Sequence, residues 1–126
     1  MTEDQKHNLL RKDLCARFPY YVKLKVKYQD DPCKLFVMHQ WETIYVLLVK
    51  GYPIEVKLTD CQPYLRPMSS MTEEEKQEYQ RITERWMYDS SYSIGDSFDW
   101  LNANHFDYRG LIEKGLAIDC TNLNIY

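Results

Sequence analysis

The chain has 126 residues, a formal charge of −3, 44% apolar and 28% charged side chains, which fits one globular domain and excludes a disordered polymer. No run approaches the roughly 18 apolar residues of a membrane span, and Met1 to Lys6 is polar, so a soluble protein of the cytosol is expected, with no membrane partner. Cys15, Cys33, Cys61 and Cys120 include no Cys-x-x-Cys pair, which argues against a zinc clip or a dithiol couple and for reduced thiols.

A possible capping box, Thr2 with Gln5, followed by Leu10, Leu14 and Phe18 at spacings of four, predicts an amphipathic helix over about 3–17, ended by Pro19. Val22, Leu24 and Val26 then alternate with Lys23, Lys25 and Lys27, the period-two pattern of a strand with one solvated face. After the turn Gln29-Asp30-Asp31-Pro32, residues 34–39 resume a strand pattern. Residues 43–49 are apolar at nearly every position, which marks them as the central strand, buried on both faces. Ile54, Val56 and Leu58 alternate with Glu55, Lys57 and Thr59 in a fourth strand. Short connections make these neighbours antiparallel, so an antiparallel four-stranded meander is expected over about 20–59.

Pro63 and Pro67 remove backbone donors and fix φ, so residues 60–72 are expected to form a joint that no strand crosses. Thr72-Glu73-Glu74-Glu75 then has the form of a capping box, with three carboxylates at the positive end of a helix dipole. That helix is expected to run to about 88 and to lay Tyr79, Ile82 and Trp86 on the sheet. Residues 89–96 read as a loop, Asp96 or Ser97 as the cap of a further helix holding Phe98 and Leu101, and Leu111 to Lys114 as a last helical turn closed by Gly115. Leu116 to Ile118 could add a strand. The fold class is α+β in a single domain: an N-terminal helix, the meander, then two to three helices over 73–115 packed on one face of the sheet.

Chemistry is sparsely signalled. The glycine-rich phosphate loops and the nucleophile elbow are absent. Asp99, His105 and Asp107 are close in sequence, but six residues of helix would turn Asp99 and His105 roughly 120° apart. No catalytic or metal-ligating set is therefore assigned, no cofactor is expected, and the chain is read as no enzyme. The Lys23, Lys25 and Lys27 stripe, with Tyr21 and Tyr28 near it, could contact phosphate, yet alternating lysines also blunt an exposed sheet edge, so nucleic acid is not the expected partner. Eleven tyrosines supply apolar area with a polar handle, which suits binding surfaces. Trp86, Tyr88 and Tyr92, beside the serine-rich loop, are the best candidates for an exposed patch. Arg66, held between two prolines, and Arg109 join them as candidate contacts for a carboxylate or phosphate.

Three segments, Asp13-Leu14-Cys15-Ala16-Arg17-Phe18-Pro19-Tyr20, residues 62–75 and residues 99–117, together resemble a family of small uncharacterised proteins from phages and prophages of Bacteroidales. They span about a third of the chain in one order; after Ala117 the sequence departs from the family pattern. The resemblance carries no activity, cofactor or catalytic residue, but it implies a phage gene acting in a bacterial host cytosol. On that footing the first reading is a non-enzymatic accessory protein that binds a host protein, plausibly inhibiting a defence component. The alternative is a small-ligand binder that sequesters a nucleotide signal through Lys23, Lys25 and Lys27 with Arg66 or Arg109. An enzyme using Asp99, His105 and Asp107 stands third.

Overall fold

The computed structural model describes residues 1–126. Helix α1, Glu3–Arg17, begins at the expected box: Gln5 N–H donates to Thr2 Oγ1 (3.1 Å) and Thr2 N–H to Gln5 Oε1 (2.9 Å). Four strands follow, β1 (Lys23–Val26), β2 (Cys33–Met38), β3 (Thr43–Leu47) and β4 (Pro53–Lys57), and then a fifth, β5 (Cys61–Pro67). Helices α2 (Glu73–Tyr88) and α3 (Ile94–Ala103) lead to two short strands, β6 (Phe106–Asp107) and β7 (Ile118–Asp119). The architecture is α+β, and no helix is long and apolar enough to cross a membrane.

The sheet runs β4-β3-β2-β1-β5-β6, with β7 also paired to β5. β1 to β5 pair antiparallel, whereas β6 and β7 lie parallel to β5. The sheet is thus mixed and longer than the expected meander. Its core face buries Val22, Leu24, Val26, Leu35, Ile44, Val46 and Leu65 together with Leu10 and Leu14 of α1. The other face carries the lysines.

Strand β5 runs through both prolines, which corrects the expectation of a joint over 60–72. Lys27 N–H donates to the Asp60 carbonyl at 2.9 Å and Lys25 faces Gln62, so Pro63, opposite Leu24, falls at a non-hydrogen-bonded position of the ladder. β1 does not call for the donor that Pro63 lacks, and β7 pairs only from Tyr64 onward. Pro67 ends the strand, where a missing donor is tolerated. One rung beyond Lys25, the Tyr126 hydroxyl stands between β1 and β5, accepting from Lys23 N–H and donating to the Tyr64 carbonyl, both at 2.9 Å.

Four further expectations are corrected. β3 is not the doubly buried centre: Ile44 and Val46 are buried, while Thr43, Tyr45 and Leu47 are half-buried on the other face. Helix α2 has no fully buried residue and packs chiefly on α3 rather than on the sheet, because α3 is held against α1 and β6 and offers the nearer apolar surface. The α3 cap is Ser93, not Asp96 or Ser97; Ser93 N–H donates to the Asp96 carboxylate (2.8 Å), and Ser97 is buried against Thr83 (3.2 Å). Residues 111–115 form turns instead of a helix, since the Asp107 carboxylate takes the Leu111 and Ile112 N–H groups, both at 2.9 Å. Gly115 does adopt the left-handed conformation, at φ +73°, which costs a glycine least.

Candidate recognition surface

Two arginines read as contacts turn inward. Arg66 forms a two-pronged bond with Glu75, Nη1 to Oε2 at 2.8 Å and Nη2 to Oε1 at 2.7 Å, and its guanidinium lies 4.2 Å over the Phe106 ring. Phe106 continues a stack through Trp100 to Tyr79, each step 5.6 Å between ring centres. Glu75 therefore closes its helix cap and locks β5 to α2 at once.

Arg109 belongs to a buried network. Its Nη1 donates to Asp13 Oδ1 and to the Tyr108 hydroxyl, both at 2.9 Å, and Tyr108 donates to Asn102 at 2.9 Å. Arg17 Nε donates to Asp13 Oδ2 at 2.7 Å and its Nη2 to the Phe106 carbonyl at 2.6 Å. Asp13 and Arg17 are both 0% exposed. They occupy the buried face of α1 beside Leu10 and Leu14, while Phe18, predicted for that stripe, is exposed. The i,i+4 spacing of Asp13 and Arg17 was the available signal, but it reads equally as a surface pair.

Asp99, His105 and Asp107 point to separate partners. Asp99 stands by the Tyr20 phenol, whose pKa is raised by desolvation and then by that carboxylate. Asp107 caps the following turn. His105 adopts a left-handed backbone, φ +64°, and stacks on Tyr126 at 3.5 Å and 10°. Burial, helped by Arg17, Arg66 and Lys23, pushes the imidazole down to about 4. No group of three metal-capable side chains comes together.

Acid should unfold the protein in two windows. His105, with a folded pKa below its unfolded value of 6.5, stays neutral while the unfolded chain takes up a proton, so stability falls as pH drops from about 6.5 to 4. Glu75, bonded to Arg66, is held down to about 2, so its contribution is complete above the unfolded value of 4.5 and is lost as pH falls toward 2. Urea midpoints measured from pH 7 to 2 should decline through both windows, with His105→Gln flattening the upper and Glu75→Gln the lower. A lower window unchanged by Glu75→Gln would show that the pair is screened by water.

The aromatic candidates lie together at the junction of α2 and α3. Trp86, Met87 and Tyr88 end α2, Tyr92 and Ile94 open the next helix, and Phe98 is one turn in; all six are exposed, Tyr88 at 85%. The turn between them is fastened at both ends. Asp89 N–H donates to the Arg85 carbonyl (2.8 Å) and Tyr92 N–H to the Asp89 carbonyl (3.1 Å), while the Asp89 carboxylate accepts from Ser91 N–H (2.9 Å) and Oγ (2.7 Å). Those last bonds hold its pKa below the usual carboxylate range. Arg85 packs over the Tyr92 ring at 5.3 Å. Arg66, at the opposite end of α2, is not part of this surface, and Arg109 reaches it only through Tyr108, whose ring meets Phe98 at 5.3 Å.

Met87, Ile94 and Phe98 were missed in the sequence because each fits an apolar stripe of its helix. Only the placement of α2 away from the sheet leaves them uncovered. The lysine stripe keeps its alternation: Lys25 and Lys27 are exposed, and Lys23, half-buried, donates from Nζ to the Ile125 carbonyl at 2.7 Å. Comparison with known proteins finds no match to this chain among family models, curated proteins or solved structures.

Proposed function

We propose that the protein is a non-enzymatic accessory protein of a Bacteroidales phage or prophage that binds a host protein, a defence component, through the α2–α3 tip. The observation that carries this reading is the set of six exposed large apolar side chains within residues 86–98, displayed on a turn held by its own hydrogen bonds. Trp and Tyr are residue types on which interfaces concentrate their energy, and Met and Phe are enriched in interface cores. A fastened turn loses little conformational freedom on docking, so the contact energy is not spent on ordering it.

The test is affinity capture from a Bacteroidales lysate with wild type and with Trp86→Ala/Tyr88→Ala. Tyr88, 85% exposed, contributes little to folding, whereas Trp86, 37% exposed, gives up some packing, so the variant should lose no more than about 2 kcal/mol and stay folded at the capture temperature, as its melt will show. Loss of two central aromatics should weaken capture of a specific host protein by about 30-fold or more, the effect of a hot spot of about 2 kcal/mol. Equal recovery of that protein by the variant would defeat the assignment to this tip.

A further inference from the structure

We propose that the open face of the sheet, opposite α1, is a platform for single-stranded nucleic acid. The register places its residues. Lys34 of β2 lies directly between Leu47 of β3 and Lys23 of β1, Tyr45 faces Val37, and Lys25 faces Gln62. All of these side chains alternate away from the buried positions Leu24, Val26, Leu35, Ile44 and Val46.

A bulge in β2 between Leu35 and Val37 changes what this face shows. The extra residue directs both Phe36 and Val37 outward, Phe36 at 47% exposure, while Met38 returns to the core side. Leu35 N–H donates to the Val22 carbonyl at 3.0 Å, which carries the β1–β2 ladder on and sets Phe36 beside Tyr21. Tyr21, 65% exposed, is held at φ +59°. Tyr45, Phe36 and Tyr21 thus fall in one row of register positions across three neighbouring chain segments, the Tyr45 ring itself packing on His39 at 4.9 Å.

Cations line this row. Lys34 Nζ lies 4.9 Å over the Tyr21 ring and Lys27 Nζ 5.2 Å over the Tyr28 ring. Lys23, Lys25, Lys27 and Lys34 face outward here; the carboxylates near them are Glu55, bonded by Tyr45 and 3.5 Å from His39, and Asp60, which lines one depression with Lys25 and Lys27. Lys23 and Lys34 are direct cross-strand neighbours, with the Lys23 ammonium turned to the Ile125 carbonyl and that of Lys34 to the Tyr21 ring. The chain's overall negative charge sits elsewhere, since residues 73–99 hold three basic and eight acidic side chains. Aromatic faces that accept stacked bases, with lysines tracking the phosphates, are the means by which single strands are bound with little sequence preference. A duplex hides its base faces and offers the row nothing to stack on.

The test is fluorescence anisotropy of labelled oligothymidylate and oligouridylate of about 12 nucleotides, a length within the usual site size, against the same lengths as duplex. Binding should be tighter for single strands and should weaken about 20-fold between about 50 and 200 mM salt, as expected for phosphate contacts from Lys25, Lys27 and Lys34, whose ammonium groups form no ion pair within the protein. Phe36→Ala, at an exposed position, should weaken it by about fivefold or more, and Lys25→Gln/Lys34→Gln should weaken it and flatten the salt dependence. Trp86→Ala/Tyr88→Ala should leave it unchanged. A preference for one of the two sugars supports the proposal and assigns the source as DNA or RNA. No anisotropy change at low salt, equal affinity for duplex, or an unchanged Phe36→Ala would overturn it. So would loss of host-protein capture by Phe36→Ala without oligonucleotide binding, which would make the face a protein contact.

Discussion

Asp13→Ala should destabilise the protein by about 3–5 kcal/mol, the cost of leaving a buried charge without its partner. Arg17, wholly buried, would keep only the Phe106 carbonyl, and Arg109 would lose its one carboxylate. Arg17 Nη1 already has no protein partner, so the guanidinium has no reserve within the protein to fall back on. The measurement is a urea titration at pH 7. Replacing both ends of the pair, Asp13→Leu with Arg17→Met, should recover much of the loss, because an apolar pair of similar volume avoids desolvating two charges. A loss under about 1 kcal/mol for Asp13→Ala would mean that water reaches the guanidinium and that the network is a surface pair in its energetics.

Leu65→Ala should cost about 2–5 kcal/mol and lower the melting temperature by roughly 10 °C for a chain of this size. Leu65 is 0% exposed at the middle of β5, within the core cluster, and its carbonyl accepts the Cys120 N–H at 3.0 Å. Truncation opens a cavity where β1, β5 and β7 meet and α1 closes the face, a place with little freedom to collapse. Thermal melts followed by circular dichroism test this. An unchanged melt would show that β5 is dispensable to the core and that the segment is there for recognition.

The two substitutions also separate what residues announce from what packing decides. Leu65 has an apolar type that suits a core, yet the strand that holds it was not legible, because two prolines argue against any ladder. Their tolerance depends on which edge each nitrogen faces, and that follows from pairing with β1, about forty residues earlier in the chain. The recognition surface divides in the same way. Trp86, Tyr88 and Tyr92 were marked by residue type and by their nearness to a serine-rich loop, whereas Arg66 and Arg109 were placed with them and lie instead in ion pairs with Glu75 and Asp13.

Local periodicity and capping chemistry by themselves determined α1, the lysine-flanked β1, the start of α2 at Thr72 and the α+β class, because these depend on residues within one or two turns of each other. Tertiary structure alone decided the rest. Long-range pairing made a mixed sheet from β5, β6 and β7, buried Asp13 and Arg17 against Phe106 and Arg109, and turned α2 onto α3 so that its aromatic end stayed in water. A side chain's periodicity says which face of its element it occupies; whether that face is covered depends on elements brought in from elsewhere in the chain.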